Sequence, residues 1–145
     1  MKIAIGCDPN GEEFKKVLIS YIQELGHTVE DFGGKDVIYA NVAFQVAEAV
    51  AAGKYDRGVL ICGTGIGVSI AANKVKGAYA ALVTDVYQAQ RAQLSNNANI
   101  IAMGSQVLGI ELAKCLVKEY LENQYDLNSR SASKIARIVE YEEDS

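Results

Sequence analysis

The amino-acid sequence predicts an α/β protein: a three-layer sandwich in which a five-stranded parallel sheet is covered by helices on both faces, with an extra C-terminal helix. Three observations carry this. Short β-rich runs alternate five times with longer stretches of helical period, and such alternation implies right-handed crossovers between parallel strands. The run Gly58-Val59-Leu60-Ile61-Cys62 is nearly continuous in apolar character, as a strand covered on both faces would be. At 145 residues, half of them hydrophobic, the chain suits one core, so a single domain over 1–145 is expected.

The strand candidates are 2–6, 28–32, 57–62, 78–83 and 99–103, with helices expected near 11–25, 41–53, 65–75, 85–96 and 108–123. The opening Lys2-Ile3-Ala4-Ile5-Gly6 reads as a buried strand, too short and too soon interrupted for a signal peptide. Phe14, Val17, Leu18, Tyr21, Ile22 and Leu25 then recur at helical spacing, and Val42, Val46, Ala49 and Val50 repeat the pattern. Gly26 and Gly53 fall just past the ends of these two helices, where a left-handed residue is commonly required. Asp85, after the fourth strand, is placed to cap the next helix. The tail from 125 to 145 is more polar; Ser129 or Ser131 would cap a last helix, which in a complete sandwich often packs on a neighbouring subunit.

Bulk properties exclude several functions. A net charge of −4 argues against nucleic acid or an anionic membrane surface as the main partner, while leaving room for a local phosphate pocket. No apolar run approaches the ~18–20 residues that cross a bilayer. Cys7, Cys62 and Cys115 are odd in number and far apart, which suits a reducing cytoplasm. They lack metal-ligand spacing and His27 is the sole histidine, so no metal site is expected. Cys115 reads as a packing residue, Cys7 as a possible pocket neighbour without a role, and His27 as structural.

The most informative segment is Ile61-Cys62-Gly63-Thr64-Gly65-Ile66-Gly67-Val68-Ser69, where a strand ends and a helix begins near Gly65 or Ile66. Glycines at 63, 65 and 67 let the backbone come close to a ligand and turn its N–H groups into an anion cradle. The same glycines would also serve a tight strand–helix turn with no ligand. No Gly-Lys-Ser/Thr follows, so this is not a nucleotide-binding P-loop, and the spacing does not fit a dinucleotide fingerprint. Cys62 favours the cradle. A thiol at a helix amino terminus gains thiolate character and could remove a proton next to a carbonyl, the enediolate being met by the N–H groups of 63–67.

With these residues in view the chain resembles the family of type B ribose-5-phosphate isomerases and galactose-6-phosphate isomerase subunits. The stretch Ile61 to Lys74 carries most of the likeness, joined by Lys2-Ile3-Ala4-Ile5-Gly6-Cys7-Asp8, Asp31-Phe32-Gly33, Ala47-Glu48-Ala49-Val50 and Gly109-Ile110-Glu111-Leu112-Ala113-Lys114. The resemblance implies a Rossmann-like subunit, dimeric or tetrameric, with active sites shared between subunits. It implies aldose–ketose isomerisation of sugar phosphates through a cis-enediolate, with neither metal nor cofactor. By position Cys62 would be the base, Gly63, Gly65 and Gly67 the anion hole, Thr64 an aid to ring opening, and Asp8 a ligand of sugar hydroxyls. Asn99 and Asn96 would reach the substrate of the neighbouring subunit, and Arg130 and Lys134 would hold the phosphate. Tyr39 would line the pocket opposite the glycine turn or simply pack there.

The chain also departs from the family. Pro9 and Ser131 stand where histidines are usual, Gln106 where an arginine is usual, and Ser95 where the ring-opening histidine is proposed; Tyr39-Ala40-Asn41 replaces Tyr-Pro-Asp. The deprotonating half is intact while ring opening and phosphate grip are altered. Three readings follow: a homomeric isomerase for another substrate, such as a four-carbon or other open-chain sugar phosphate; one subunit of a heteromeric isomerase with a paralogous partner; or a non-catalytic sugar-phosphate-binding homologue. The first fits best, because a bystander has no packing need for a thiol inside an anion cradle. Activity on ribose 5-phosphate should be low or absent; turnover of roughly 10 per second or more in a coupled assay would overturn this.

Overall fold

The structure, a computed structural model, describes residues 1–145. Its strands are β1 (Lys2–Cys7), β2 (Thr28–Asp31), β3 (Arg57–Cys62), β4 (Ala80–Leu82) and β5 (Ile100–Gly104). Its helices are α1 (Glu12–Glu24), α2 (Tyr39–Ala51), α3 (Ile66–Ala72), α4 (Val86–Leu94), α5 (Ile110–Glu122) and α6 (Ala132–Glu143). All strand pairs are parallel, in the order β2-β1-β3-β5-β4. Every expected element is present, and no helix is long and apolar enough to cross a membrane.

Alternation along the central strands feeds two cores. Ile3, Ile5, Val59, Ile61, Ile101 and Met103 face one side and pack with Leu18 and Ile22 of α1, Ala89 and Ala92 of α4, and Leu116 and Val117 of α5. Ala4, Leu60, Cys62, Ile100 and Ala102 face the other side and meet Val42, Val46 and Val50 of α2 and Val68 and Ala72 of α3. All six residues of β3 are buried, as its composition requires. Gly26 and Gly53 take φ of +98° and +77°, ending α1 and α2 as expected. Asp85 caps α4, its Oδ1 accepting the Gln88 N–H at 2.7 Å.

Some details differ from expectation. β4 is three residues long rather than six, pairing with β5 only from Ala80 to Leu82; at its outer edge the Asn73 carboxamide takes both the N–H and the C=O of Ala80 (2.8 and 2.9 Å). α2 begins two residues earlier than its apolar pattern, at Tyr39. Cys115 is exposed on the outer side of α5, so it is not a packing residue. Ser131 occupies the N-cap position of α6, but its hydroxyl makes no capping bond. His27 lies at the amino edge of the sheet, its Nδ1 3.0 Å from the Met1 ammonium. Partial burial and that neighbouring charge lower its pKa.

Cys7 ends β1 on the side of the sheet opposite to Cys62, fully buried beneath α1, so it does not line the same pocket. Beside it Lys15, only 1% exposed, pairs with Asp31 at 2.9 Å and Glu12 at 3.3 Å and ties α1 to the edge strand. Burial pushes the Cys7 thiol up to about 11, the Lys15 ammonium opposing this only in part. A thiol whose folded pKa is raised contributes stability that is full below its ordinary 9.0 and lost as pH climbs to about 11. In denaturation followed from pH 9 to 11, Cys7→Ala should therefore flatten the alkaline decline by about 1 kcal/mol. An unchanged slope would show that Cys7 carries none of it.

Candidate active site

At the carboxyl edge of the sheet the registers align three strand ends. Cys7 stands opposite Ile61, and Cys62 opposite Gly104, so Asp8, Cys62 and Gly104 form a row. The connections leave β1 and β3 in opposite directions, which makes this the topological switch point, where sheets of this kind open a crevice.

The turn after Cys62 lies backbone to backbone on the end of β5. Gly65, at φ +81°, would put a Cβ 2.7 Å from the Met103 carbonyl carbon, and a Cβ on Gly104 would lie 2.6 Å from that of Thr64. Two hydrogen bonds fix the contact, Ser105 N–H to Cys62 O at 2.9 Å and Gln106 N–H to Gly63 O at 3.0 Å. With those carbonyls turned toward β5, the N–H groups of Gly63, Thr64 and Gly67 make no hydrogen bond within the chain. They form a concavity suited to an anion. Inside it Cys62 is 5% exposed, and its Sγ accepts the Gly65 N–H at 3.2 Å. Thr64 is exposed; its Oγ1 accepts the Ile66 N–H at 3.2 Å, leaving its own hydrogen free to donate.

Three neighbours complete this half. The Tyr39 ring packs on Gly67, where a Cβ would come within 2.3–2.4 Å of its Cζ, Cε1 and hydroxyl. Asp8, 8% exposed, caps a single 3-10 turn at Pro9–Gly11, its Oδ1 accepting the Gly11 N–H at 3.1 Å. Pro9 suits the first position of that turn, where its missing N–H would have no partner anyway. The Gln106 amide lies against Gly63, and the Ser105 hydroxyl next to it is the one buried side-chain polar atom without a hydrogen-bond partner.

The other expected site residues lie at the opposite end of the sheet. Asn96 follows α4, and Asn99 immediately precedes β5. Asn99 receives the Tyr79 N–H on Oδ1 and donates from Nδ2 to Gly77 O, both at 2.9 Å, so each end of its amide already has a backbone partner. Arg130 lies in the turn before α6 and Lys134 in its first turn, so they do not share a helical face. Both are exposed and neither pairs with a carboxylate. Within one chain the structure therefore brings Cys62, Gly63, Thr64, Gly65, Gly67, Asp8 and Tyr39 together and keeps Asn96, Asn99, Arg130 and Lys134 apart from them. Sequence reasoning missed the Ser105 hydroxyl, which carries no pattern of its own; it left Tyr39 either lining the pocket opposite the glycine turn or packing there, and the ring packs on Gly67.

The fold is thus a doubly wound parallel sheet that sets a buried thiol beside a glycine-built turn at its switch point, the place where enzymes of this architecture bind their ligands. Residues 3–138 match the ribose/galactose isomerase family, and the chain belongs to it. The chain is thereby an enzyme of the sugar-phosphate isomerase class, as its motifs imply. It is 49% identical to D-erythrulose-4-phosphate isomerase 2 of Mycolicibacterium smegmatis over 98% of this chain and 97% of that protein. It is 44% identical to D-erythrulose-4-phosphate isomerase of Pectobacterium atrosepticum over 98% and 95%. The solved structure of ribose-5-phosphate isomerase B from Clostridium thermocellum superposes with a TM-score of 0.93, at 41% identity over 99% of both chains.

The two glycine contacts differ in what must give way. At Gly65 an alanine meets the fixed backbone of β5 and a left-handed φ, whereas at Gly67 it meets only the far end of the Tyr39 ring. Gly65→Ala should cost about 3 kcal/mol or more in urea unfolding and Gly67→Ala about 1 kcal/mol, the latter relieved when Tyr39→Ala is added. Equal losses would mean that the turn, rather than its two partners, sets the cost.

Proposed function

We propose that this chain is a cytoplasmic isomerase of four-carbon sugar phosphates that works through a cis-enediolate with Cys62 as the base. The observation that carries the reading is Ser95. It stands where the family resemblance expects the ring-opening histidine, and its hydroxyl is held by Arg91 Nε at 2.6 Å. It offers no acid for opening a ring. A tetrose or tetrulose bearing phosphate on C4 has no hydroxyl left to close a furanose, so it remains open and needs none. The two relatives that act on D-erythrulose 4-phosphate support the same substrate. The three unpaired cysteines agree with a reducing compartment.

In this reading the thiolate of Cys62 removes a proton from C1 of the ketose and the electron pair moves into the carbonyl at C2. The oxyanion is met by the N–H groups of Gly63 and Gly67, with the turn held in place by Gly65. Return of the proton from sulfur to C2, with transfer of a proton between O1 and O2, gives the aldose. Thr64 is placed to relay that proton, taking one from O1 as it gives its own to O2, Asp8 to take a sugar hydroxyl on its second carboxylate oxygen, and Tyr39 to close the side over Gly67.

The phosphate falls to Arg130 and Lys134 of a second copy, with Asn96 and Asn99 at the same edge. One chain holds its base at the carboxyl end of the sheet and Arg130 and Lys134 at the amino end, so two antiparallel copies would complete two sites. Ile66 and Ile70, 51% and 58% exposed along α3, with Leu82 and Val86, surround the glycine turn with apolar surface for the neighbour to cover. The whole of 1–145 then acts as one isomerase domain, its tail of 125–145 also touching that neighbour.

A coupled isomerase assay of the purified chain against tetrose, pentose and hexose phosphates tests this, with Cys62→Ala as control. Turnover should be highest on a tetrulose phosphate and fall at least about 10³-fold in the variant. Pentose phosphate turned over faster, or activity surviving without the thiol, would overturn the substrate or the base. Silence across the panel would point to a missing paralogous subunit or a binding role.

A further inference from the structure

The segment 126–145 is fastened to the rest of the chain at one polar point. Its helix α6 lies along the amino ends of the strands, and none of its residues is fully buried. Of all hydrogen bonds in the chain, two cross from this segment to the body, and Glu142 makes both. Its Oε1 accepts the Gly77 N–H at 3.0 Å and its Oε2 accepts the Tyr79 hydroxyl. No ion pair crosses; the one inside the segment joins Arg137 to Glu140.

The receiving side is rigid. Asn99 clasps Gly77 and Tyr79 from both sides of Ala78, which is itself buried in the core beneath α3. Burial and then the Glu142 carboxylate push the Tyr79 phenol up to about 12, so it remains a hydrogen-bond donor throughout the working range of pH. On the helix, Ile135, Val139 and Glu142 follow one another at i, i+4 and i+7 and form the half-buried stripe that faces the body. The two apolar members resist pulling away but not sliding or rotation. The carboxylate, bonded at both oxygens, opposes those motions. Lys134 lies about 12 Å back along the helix from it, and Arg130 in the turn just before.

We infer that the Glu142–Tyr79 latch is a positioning device for phosphate recognition: it fixes where α6 carries Arg130 and Lys134, and so sets affinity for the phosphate group while leaving proton transfer at Cys62 untouched. The inference rests on the reading above, in which those cations serve the site of a second copy. Tyr79 and Glu142 touch no reacting atom and act through the helix. Nothing in the local sequence marks them as a pair, 63 residues apart.

The test compares the full-length chain with Tyr79→Phe, Glu142→Gln, Arg130→Ala/Lys134→Ala and the triple variant that combines the last pair with Tyr79→Phe. KM and kcat are read on the preferred tetrulose phosphate, and the Kd of inorganic phosphate is read by calorimetry. Tyr79→Phe should raise KM and the phosphate Kd together by about five- to tenfold with kcat within twofold, since one charge-assisted bond is removed far from the chemistry. Glu142→Gln, which keeps an acceptor for Gly77, should lie between it and the wild type. In the triple variant Tyr79→Phe should add nothing to the loss caused by removing the two cations. Hydrogen exchange should quicken in α6 but not in β1, β3 or β5, which separates a freed helix from a failing fold. Unchanged KM and Kd in Tyr79→Phe, a fall in kcat alone, or a loss that adds in full to that of the cation pair would each overturn the latch. A wild type that binds phosphate through Arg130 and Lys134 but isomerises nothing would overturn the enzyme reading instead, and the Kd series would still judge the latch.

Discussion

The contact on which the site depends is the one between two bare backbones, the turn Gly63–Gly65 and the end of β5 at Gly104. No side chain fits between them, and the carbonyls of Cys62 and Gly63 are taken by the N–H groups of Ser105 and Gln106. Fixing two carbonyls on one side fixes the intervening N–H groups on the other, so the cradle is a by-product of strand pairing rather than of any side chain. The order β3-β5-β4 is what makes this possible. It sets β5 beside β3, and the residues after Gly104 then lie beside the glycine turn. The same packing starts α3 at Ile66 and leaves the flat face of Gly67 for the Tyr39 ring.

The two ends of the sheet are built by different physics. At the carboxyl end the glycine turn is backbone bordered by exposed aliphatic surface, flanked by the Asp8 cap and the buried Lys15–Asp31 pair. The amino end is held by buried polar side chains whose partners are backbone carbonyls and amides. Arg57, 4% exposed and without a carboxylate, donates to the carbonyls of Tyr120 and Asn123 at the end of α5, its guanidinium 4.9 Å over the Tyr120 ring. Burial lowers its pKa, and the carbonyl ends of α5 supply the negative potential that an anion otherwise would. Gln93 bridges Ala98 O and Tyr125 N–H, and Asn99 bridges residues 77 and 79. Satisfied networks of this kind specify one geometry.

Legibility in the sequence followed the range of the interactions. The strands and helices could be read because hydrophobic period and helix-ending glycines are local, and the family motif 61–74 because its residues act within one turn. Features that join distant segments could not be read. Glu142 meets Tyr79 across 63 residues, through a contact that no single stretch encodes. Cys115 misled because a thiol on an amphipathic helix says nothing of which side it occupies. The Asn99 amide was legible as a polar residue near the site, but not as one whose two ends already have backbone partners.

The departures from the family pattern make physical sense together in the proposed reading. Pro9, Ser95, Gln106 and Ser131 each replace a group able to carry positive charge, and losing one alone would leave the phosphate poorly held and the site poorly matched. A four-carbon substrate changes the balance. It has no ring to open, so the acid at 95 has no work, and its short chain brings the phosphate close to the enediolate. Extra cations beside the glycine turn would then hold the ground state as strongly as the transition state, which lowers KM without raising kcat. Holding the phosphate with Arg130 and Lys134, in the turn before a separately latched helix and in its first turn, lets phosphate affinity be set at one end of the sheet and proton transfer at the other. Neutral Gln106 and Ser105 next to Gly63 leave the developing oxyanion to the backbone donors alone.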